Sequence, residues 1–198
     1  GRGPDSQAGE RVCWCPERGP VMMNFLMRPV LKRALRARKR RHHQTAVFPR
    51  MVAPVFDTTT RHTLVDGWYD IAILQPLDAY LAARRPVAAS VCLDVGANVG
   101  FHALYYARTF RTVYAFEPNP FSYQLLCINV RYSGLSNVEA INVALATEPA
   151  RLSLVEGDIW NSGQCYLVEA GAADAPGTTV EAWGPDEVER AFGKADRP

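Results

Sequence analysis

The sequence lacks several features that would place it at once. It has no run of about eighteen apolar residues, so no membrane-spanning helix is expected. Its five cysteines are an odd number without paired spacing, which argues against a disulfide framework and fits a reducing cytoplasm, the expected location. Cys13-Trp14-Cys15 has no second cysteine pair and does not read as a zinc site. Cys92 and Cys127 fall inside a strand pattern and a helix pattern, as small core residues do. No cluster of His, Cys, Asp and Glu has metal-ligand spacing, so no metal is expected. There is no G-x-G-x-x-G fingerprint for a dinucleotide. No acid occurs between Glu17 and Asp57. The first residue is not methionine; Met22 and Met23 could mark a start of translation, with upstream residues before them.

What is present begins with 198 residues of 48% hydrophobic composition, enough for one globular domain of ordinary core size. The net charge of +2 averages unlike parts. Residues 1–45 read as a disordered stretch, Gly1 to Pro20, followed by a basic amphipathic segment. Met23, Leu26, Met27, Val30, Leu31, Ala34 and Leu35 recur at helical spacing, and Pro29 is tolerated if it lies in the first turn. The opposite face carries Lys32, Arg33 and Arg36, then Arg38 to His43. Two readings stand. One is a weak contact with an anionic surface through residues 28–43, lipid or nucleic acid, with no strong nucleic-acid signal. The other is a solvated basic helix packed as a lid beside the domain. An Arg-rich, acid-free composition also suits a mitochondrial targeting segment.

Residues 46–198 are organised around Val91 to Phe101, V-C-L-D-V-G-A-N-V-G-F. An apolar run ends at Asp94, two glycines bracket Ala97-Asn98-Val99, and a helix-compatible stretch follows. Glycine lets backbone approach a ligand, and a helix start offers unpaired N–H groups. A second strand-like run, Thr112 to Phe116, ends at Glu117, where a carboxylate can accept from a ribose diol. The spacing is G-x-x-x-G, with Asp94 two residues before the first glycine. An acid there repels a pyrophosphate and suits a cofactor carrying an ammonium and a sulfonium.

This pattern resembles motif I of class I S-adenosylmethionine-dependent methyltransferases. D-V-G-A-N-V-G, then A-F-E-P-N-P, then L-S-N-V-E-A-I-N-V-A-L resemble the FkbM family more closely, densely from Cys92 to Leu145 and overall from about Asp66 to Asp196. The resemblance implies an α/β fold, a Rossmann-like doubly wound parallel sheet, with strand order 3-2-1. It implies S-adenosyl-L-methionine as cofactor and a small-molecule or glycan acceptor, methylated on a hydroxyl of a sugar or natural product. By the same resemblance Asp94, Gly96, Asn98 and Gly100 surround the methionine end of the cofactor. Glu117 holds the ribose hydroxyls, Pro118 and Asn119 shape the wall beside it, and Asn142-Val143-Ala144 meets the adenine edge. Glu117 could instead be an acid favoured by a helix dipole, and Asn98 a turn residue tolerating the left-handed region. No catalytic residue can be named. His102, after the glycine turn, is the nearest candidate for a base, against a packing role.

Around this run the expected elements are a strand over Arg61 to Asp66 ended by Gly67, and a helix from Trp68 to Arg85 despite Pro76. Trp68 and Tyr69 could line the cofactor pocket or pack in the core. The remaining helices are expected over Gly100 to Arg108, Phe121 to Tyr132 and Pro185 to Phe192. A third parallel strand is expected over Val138 to Val143, and further strands over Arg151 to Val155, Cys165 to Glu169 and Thr178 to Ala182. Gly157-Asp158 and Asn161-Ser162-Gly163 read as turns; family members often carry an N-S-G stretch in a β excursion at this place. The family's fourth central strand, with an acid-glycine motif, is not found before Pro198, which makes residues 46–198 a partial domain, incomplete at the C-terminus. Its absence would leave the first strand as a sheet edge. The alternative to an enzyme is a truncated, inactive fragment acting at most as a binding module. A nicotinamide-dependent oxidoreductase is disfavoured by the missing dinucleotide fingerprint.

Overall fold

A computed structural model describes residues 27–45, 50–55, 57–83, 89–155, 162–169 and 178–192. Cys13, Cys15, Gly157, Asp158 and Asn161 lie outside the described residues. The chain divides into two compact units between Gln44 and Thr45.

The first unit's described element is helix α1, Met27–Thr45, with Pro29 in its first turn, where the missing N–H costs nothing. Its apolar residues Met27, Val30, Leu31 and Leu35 are exposed, as are Lys32, Arg33, Arg36 and Arg40.

The second unit opens with α2, Thr58–Asp66. A strand was expected over Arg61 to Asp66, and the helix corrects it. The reason lies upstream: the buried carboxylate of Asp57 caps the helix, accepting from the N–H of Thr59 at 3.0 Å and from the Thr59 hydroxyl. That cap outweighs the strand preference of the threonines and Val65. Gly67, at φ 103, ends the helix and donates to the Thr63 carbonyl at 2.9 Å. Helix α3, Ile71–Ala82, is shorter than the expected Trp68 to Arg85, because Asp70 adopts a left-handed conformation, φ 55, and sets Trp68 and Tyr69 in the turn before it. Trp68 packs in the core, edge-on to Tyr105 at 5.1 Å.

Strand β1 is Val91–Val95, α4 is Phe101–Tyr106, β2 is Thr112–Phe116, α5 is Pro120–Ser133 and β3 is Val138–Ile141. The three strands form a parallel sheet in the order β1-β2-β3, the expected order. The fold is thus mixed α/β around a parallel three-stranded sheet. Val113 and Ala115 face one side, packed with Leu104 and Leu126; Tyr114 and Phe116 face the other, with Val143. The central strand is buried on both faces, as a parallel strand covered by helices must be. Helix α5 is bounded by local chemistry. Asn119 accepts from the N–H of Phe121 at 2.9 Å, Pro120 takes the first helical position, and Gly134 closes the end at φ 69.

Strand β3 stops at Ile141 rather than Val143. The Asn142 side chain turns away to donate to the carbonyls of Glu117, at 2.7 Å, and Pro118, at 3.1 Å. The chain then enters a second, four-stranded sheet: β4 Ala144–Leu145, β5 Ala150–Val155, β6 Tyr166–Glu169 and β7 Thr178–Trp183, in the order β4-β7-β5-β6. Helix α6, Pro185–Ala191, follows. Among the described residues β1 pairs with β2 alone, and Leu93 and Val95 on it are exposed. Among the described residues no helix is long and apolar enough to cross a membrane.

Candidate functional site

The loop from β1 to α4 is built from three left-handed residues in five: Gly96 at φ 78, Asn98 at φ 50 and Gly100 at φ 97. The N–H groups of Gly96 and Ala97 both donate to the Phe116 carbonyl at 2.9 Å, and Gly100 donates to Ala97 at 2.8 Å. The alternate residues Ala97 and Val99 are buried beneath the turn. Asn129 of α5, fully buried, braces the turn from below, donating to the Val99 carbonyl at 2.7 Å and pairing with both backbone groups of Val52. The sequence placed Asn129 in a helix but gave it no role.

The two bracketing glycines differ in surroundings. A Cβ on Gly100 would meet Leu126 Cδ1 at 2.7 Å and Leu104 Cδ1 at 2.8 Å, so Gly100 is demanded by helix packing. A Cβ on Gly96 would have nothing within 4 Å. Gly96 faces a cavity of about 490 Å³, within the range of small-molecule sites.

Of the nine residues singled out by sequence, Gly96, Asn98, Glu117 and Pro118 line this cavity. Gly100, Asn119, Asn142 and Ala144 do not. Gly100 is packed under α5, Asn119 caps α5, Asn142 laces β2's end to the loop after β3, and Ala144 is buried in β4. Asp94 lines a separate recess of about 180 Å³. His102 lines both spaces, so it stands between them. It lies 3.8 Å from the Asp70 carboxylate and 5.9 Å, ring to ring, from Tyr69.

Tyr69 also lines the large cavity, with Thr59, so the α2–α3 region forms one wall. Burial, then the charges of Asp70 and Asp57, push the Tyr69 phenol upward, which keeps it a neutral donor at ordinary pH. The far wall comes from the second sheet: Leu154 on β5, Tyr166 and Leu167 on β6, and Gly163 and Cys165 in the turn before β6. The sequence read these residues as two strands and a turn, Arg151 to Val155, Cys165 to Glu169 and Asn161-Ser162-Gly163, and gave none of them a place at the site.

Glu117 is buried and already bonded: one oxygen accepts from the Asn98 N–H at 2.6 Å, the other from the Asn119 N–H at 2.8 Å. Burial raises its pKa, the two N–H groups draw it back, and the nearby Asp94 charge adds to the rise. Asp94 is raised by burial as well, offset by the neighbouring His102 and by the Ala103 N–H. Its Oδ2 is buried and has no hydrogen-bond partner. Burial, aided by Asp94, also pushes the Cys92 thiol up to about 11, so that sulfur is a core group rather than a nucleophile. Among the described residues no group of three or more His, Cys, Asp or Glu could hold a metal.

No family model matches this sequence, and no curated protein matches it. Among solved structures it is similar over a short region to precorrin 8W decarboxylase from Methanobacterium thermoautotrophicum. That match has 31% identity, covers 35% of this chain and 37% of that one, and has a TM-score of 0.30.

Proposed function

We propose that this chain carries the cofactor-binding region of a class I, Rossmann-like methyltransferase of the FkbM type. It would take S-adenosyl-L-methionine and a hydroxyl acceptor on a sugar or natural product. One observation carries the reading: the left-handed glycine turn after β1 and the carboxylate after β2 face one cavity at the same end of a parallel sheet. Ligands of open α/β sheets bind at that end.

The residues fit the cofactor on three counts. Gly96 leaves open space where any other residue would place a Cβ, giving a ligand close access to backbone. Asp94, in the neighbouring recess on the other side of His102, holds a buried oxygen without a donor, which an ammonium reaching past that ring would satisfy. Glu117 keeps acceptor capacity beyond its two N–H partners, since a carboxylate has about four lone-pair sites. S-adenosylmethionine supplies an electrophilic methyl group, so the protein's task is to hold the acceptor in line and exclude water. A hydroxyl entering beside Tyr69 would come near the His102 imidazole, which would take the proton, with the Asp70 carboxylate 3.8 Å away to favour the cation formed.

Calorimetry tests the reading directly. The full chain should bind S-adenosylhomocysteine and not NAD. Gly96→Val should weaken that binding by about a hundredfold or more, about 3 kcal/mol, while far-ultraviolet circular dichroism stays that of the parent. Equal affinity in the two proteins places the ligand elsewhere, and tight NAD binding replaces the reading with a dinucleotide one.

A further inference from the structure

We infer that α1 is an anchor for an anionic lipid surface, lying in the plane of the interface. Successive helical residues advance about 100° around the axis. Met27, Val30, Leu31, Ala34 and Leu35 therefore gather in a stripe about 140° wide, the span expected of a core-facing helix. Yet Met27 is 57%, Val30 62%, Leu31 45% and Leu35 54% exposed, so within its own unit no described residue covers the stripe. Lys32, Arg33, Arg36 and Arg40 lie on the other side of the helix and are exposed too.

Charge identifies the partner. Between Met27 and Thr45 there are eight lysines and arginines and no acid, so the complementary surface is densely negative. The apolar stripe then chooses among negative surfaces. A nucleic acid takes up the cations through its phosphates but has no place for four large exposed aliphatic side chains. The boundary between headgroups and acyl chains accepts both faces at once. The stripe also has a direction. Beyond Leu35 the next positions on it are Arg38 and Arg41, so residues 27–35 enter the boundary while the C-terminal half stays among the headgroups. The helix is not apolar enough to span the bilayer, so it lies on the surface. Nothing in this inference depends on methyl transfer.

Flotation of the full chain with vesicles tests it. The chain should float with vesicles of phosphatidylcholine mixed with phosphatidylserine, not with phosphatidylcholine alone, and salt should reduce binding steeply. The Lys32→Gln, Arg36→Gln pair should bind about thirtyfold more weakly at low salt, at about fivefold per charge. Leu31→Ala, Leu35→Ala, which preserves helix propensity, should weaken binding by about tenfold or more and leave the salt dependence unchanged. Absence of flotation at low salt overturns the inference, as does equal binding to neutral vesicles. If the leucine pair floats like the parent while the charge pair alone loses binding to a DNA oligonucleotide, the surface is a nucleic-acid one and the lipid assignment fails.

Discussion

Adjacent strands β1 and β2 both end near a carboxylate, fully buried at Glu117 and half-buried at Asp94, and the two carboxylates live differently. Glu117, after β2, spends one oxygen on the N–H of Asn98 and the other on that of Asn119. Those donors belong to the two loops that open helices α4 and α5. Glu117 is therefore a clasp between the β1–α4 turn and the β2–α5 turn. Asp94, within β1, keeps one oxygen buried and bare. The difference separates a carboxylate that holds the loops from one that the loops leave in want of a donor. In both, burial raises the pKa, but only Glu117 has two backbone N–H groups to draw it back.

Removing the clasp should give the largest effect. Glu117→Ala strands two N–H donors, one of them buried, and frees the left-handed Asn98. Each unsatisfied buried donor costs about 1–3 kcal/mol, so the loss should be about 4 kcal/mol in denaturant unfolding of the full chain. Glu117→Gln, which retains an acceptor oxygen, should lose about half as much. If Glu117→Ala unfolds at the parent's midpoint, the two turns are held by something else, and the contrast with Asp94 collapses.

The glycines on either side of Asn98 sharpen the same division between built-in and open. Gly100→Ala suffers both a left-handed Cβ and overlap with Leu126 and Leu104. A left-handed L-residue costs about 1–2 kcal/mol and overpacking about 1–3, so about 3 kcal/mol is expected. Gly96→Ala has only the first cost, about 1 kcal/mol, because its Cβ meets nothing. A thermal melt of each decides it; equal losses would mean that α4 and α5 do not close over Gly100 as described.

These contrasts show where the sequence was readable. The strand, turn and helix from Val91 onward were legible because their signals are local: an apolar run, a glycine pair, and an Asn-Pro start with a glycine stop for α5. Helix α2 was misread because its cap, Asp57, lies outside the Arg61 to Asp66 window whose β-branched residues look strand-like. Val138 to Val143 read as one strand because Val143 is apolar, whereas Asn142 breaks the ladder to bond Glu117 and Pro118. About a third of the cavity's lining comes from β5, β6 and the turn before β6. Alternation along those strands marks two faces but cannot say which distant loop a face will meet. Asn119 and Asn142 stood in the right loops, yet they hold backbone instead of lining the cavity. That distinction depends on side-chain direction, which spacing does not encode.

Asp94→Asn should have the smallest effect and the opposite sign. Burial lifts the folded-state pKa of Asp94 above its unfolded value. The native state then holds the proton more tightly than the unfolded chain does. The stabilisation from protonation is full below the unfolded pKa and is lost as pH rises through the folded one. At neutral pH the parent therefore carries a buried charge with a bare oxygen, which Asn removes while keeping the shape and an acceptor for Ala103. The variant should melt a few degrees higher than the parent at pH 7, about 1 kcal/mol for a chain of this size. The gap should close as pH falls below the ordinary carboxylate range, where both side chains are neutral. Glu117 titrates in both proteins, and loss of the Asp94 charge also eases its ionisation, which adds to the gain at neutral pH and disappears with it in acid. A gain that persists unchanged into acid would show that charge burial is not its source. A loss at pH 7 would show that Asp94 already has a donor, and that nothing at the end of β1 is waiting for an ammonium.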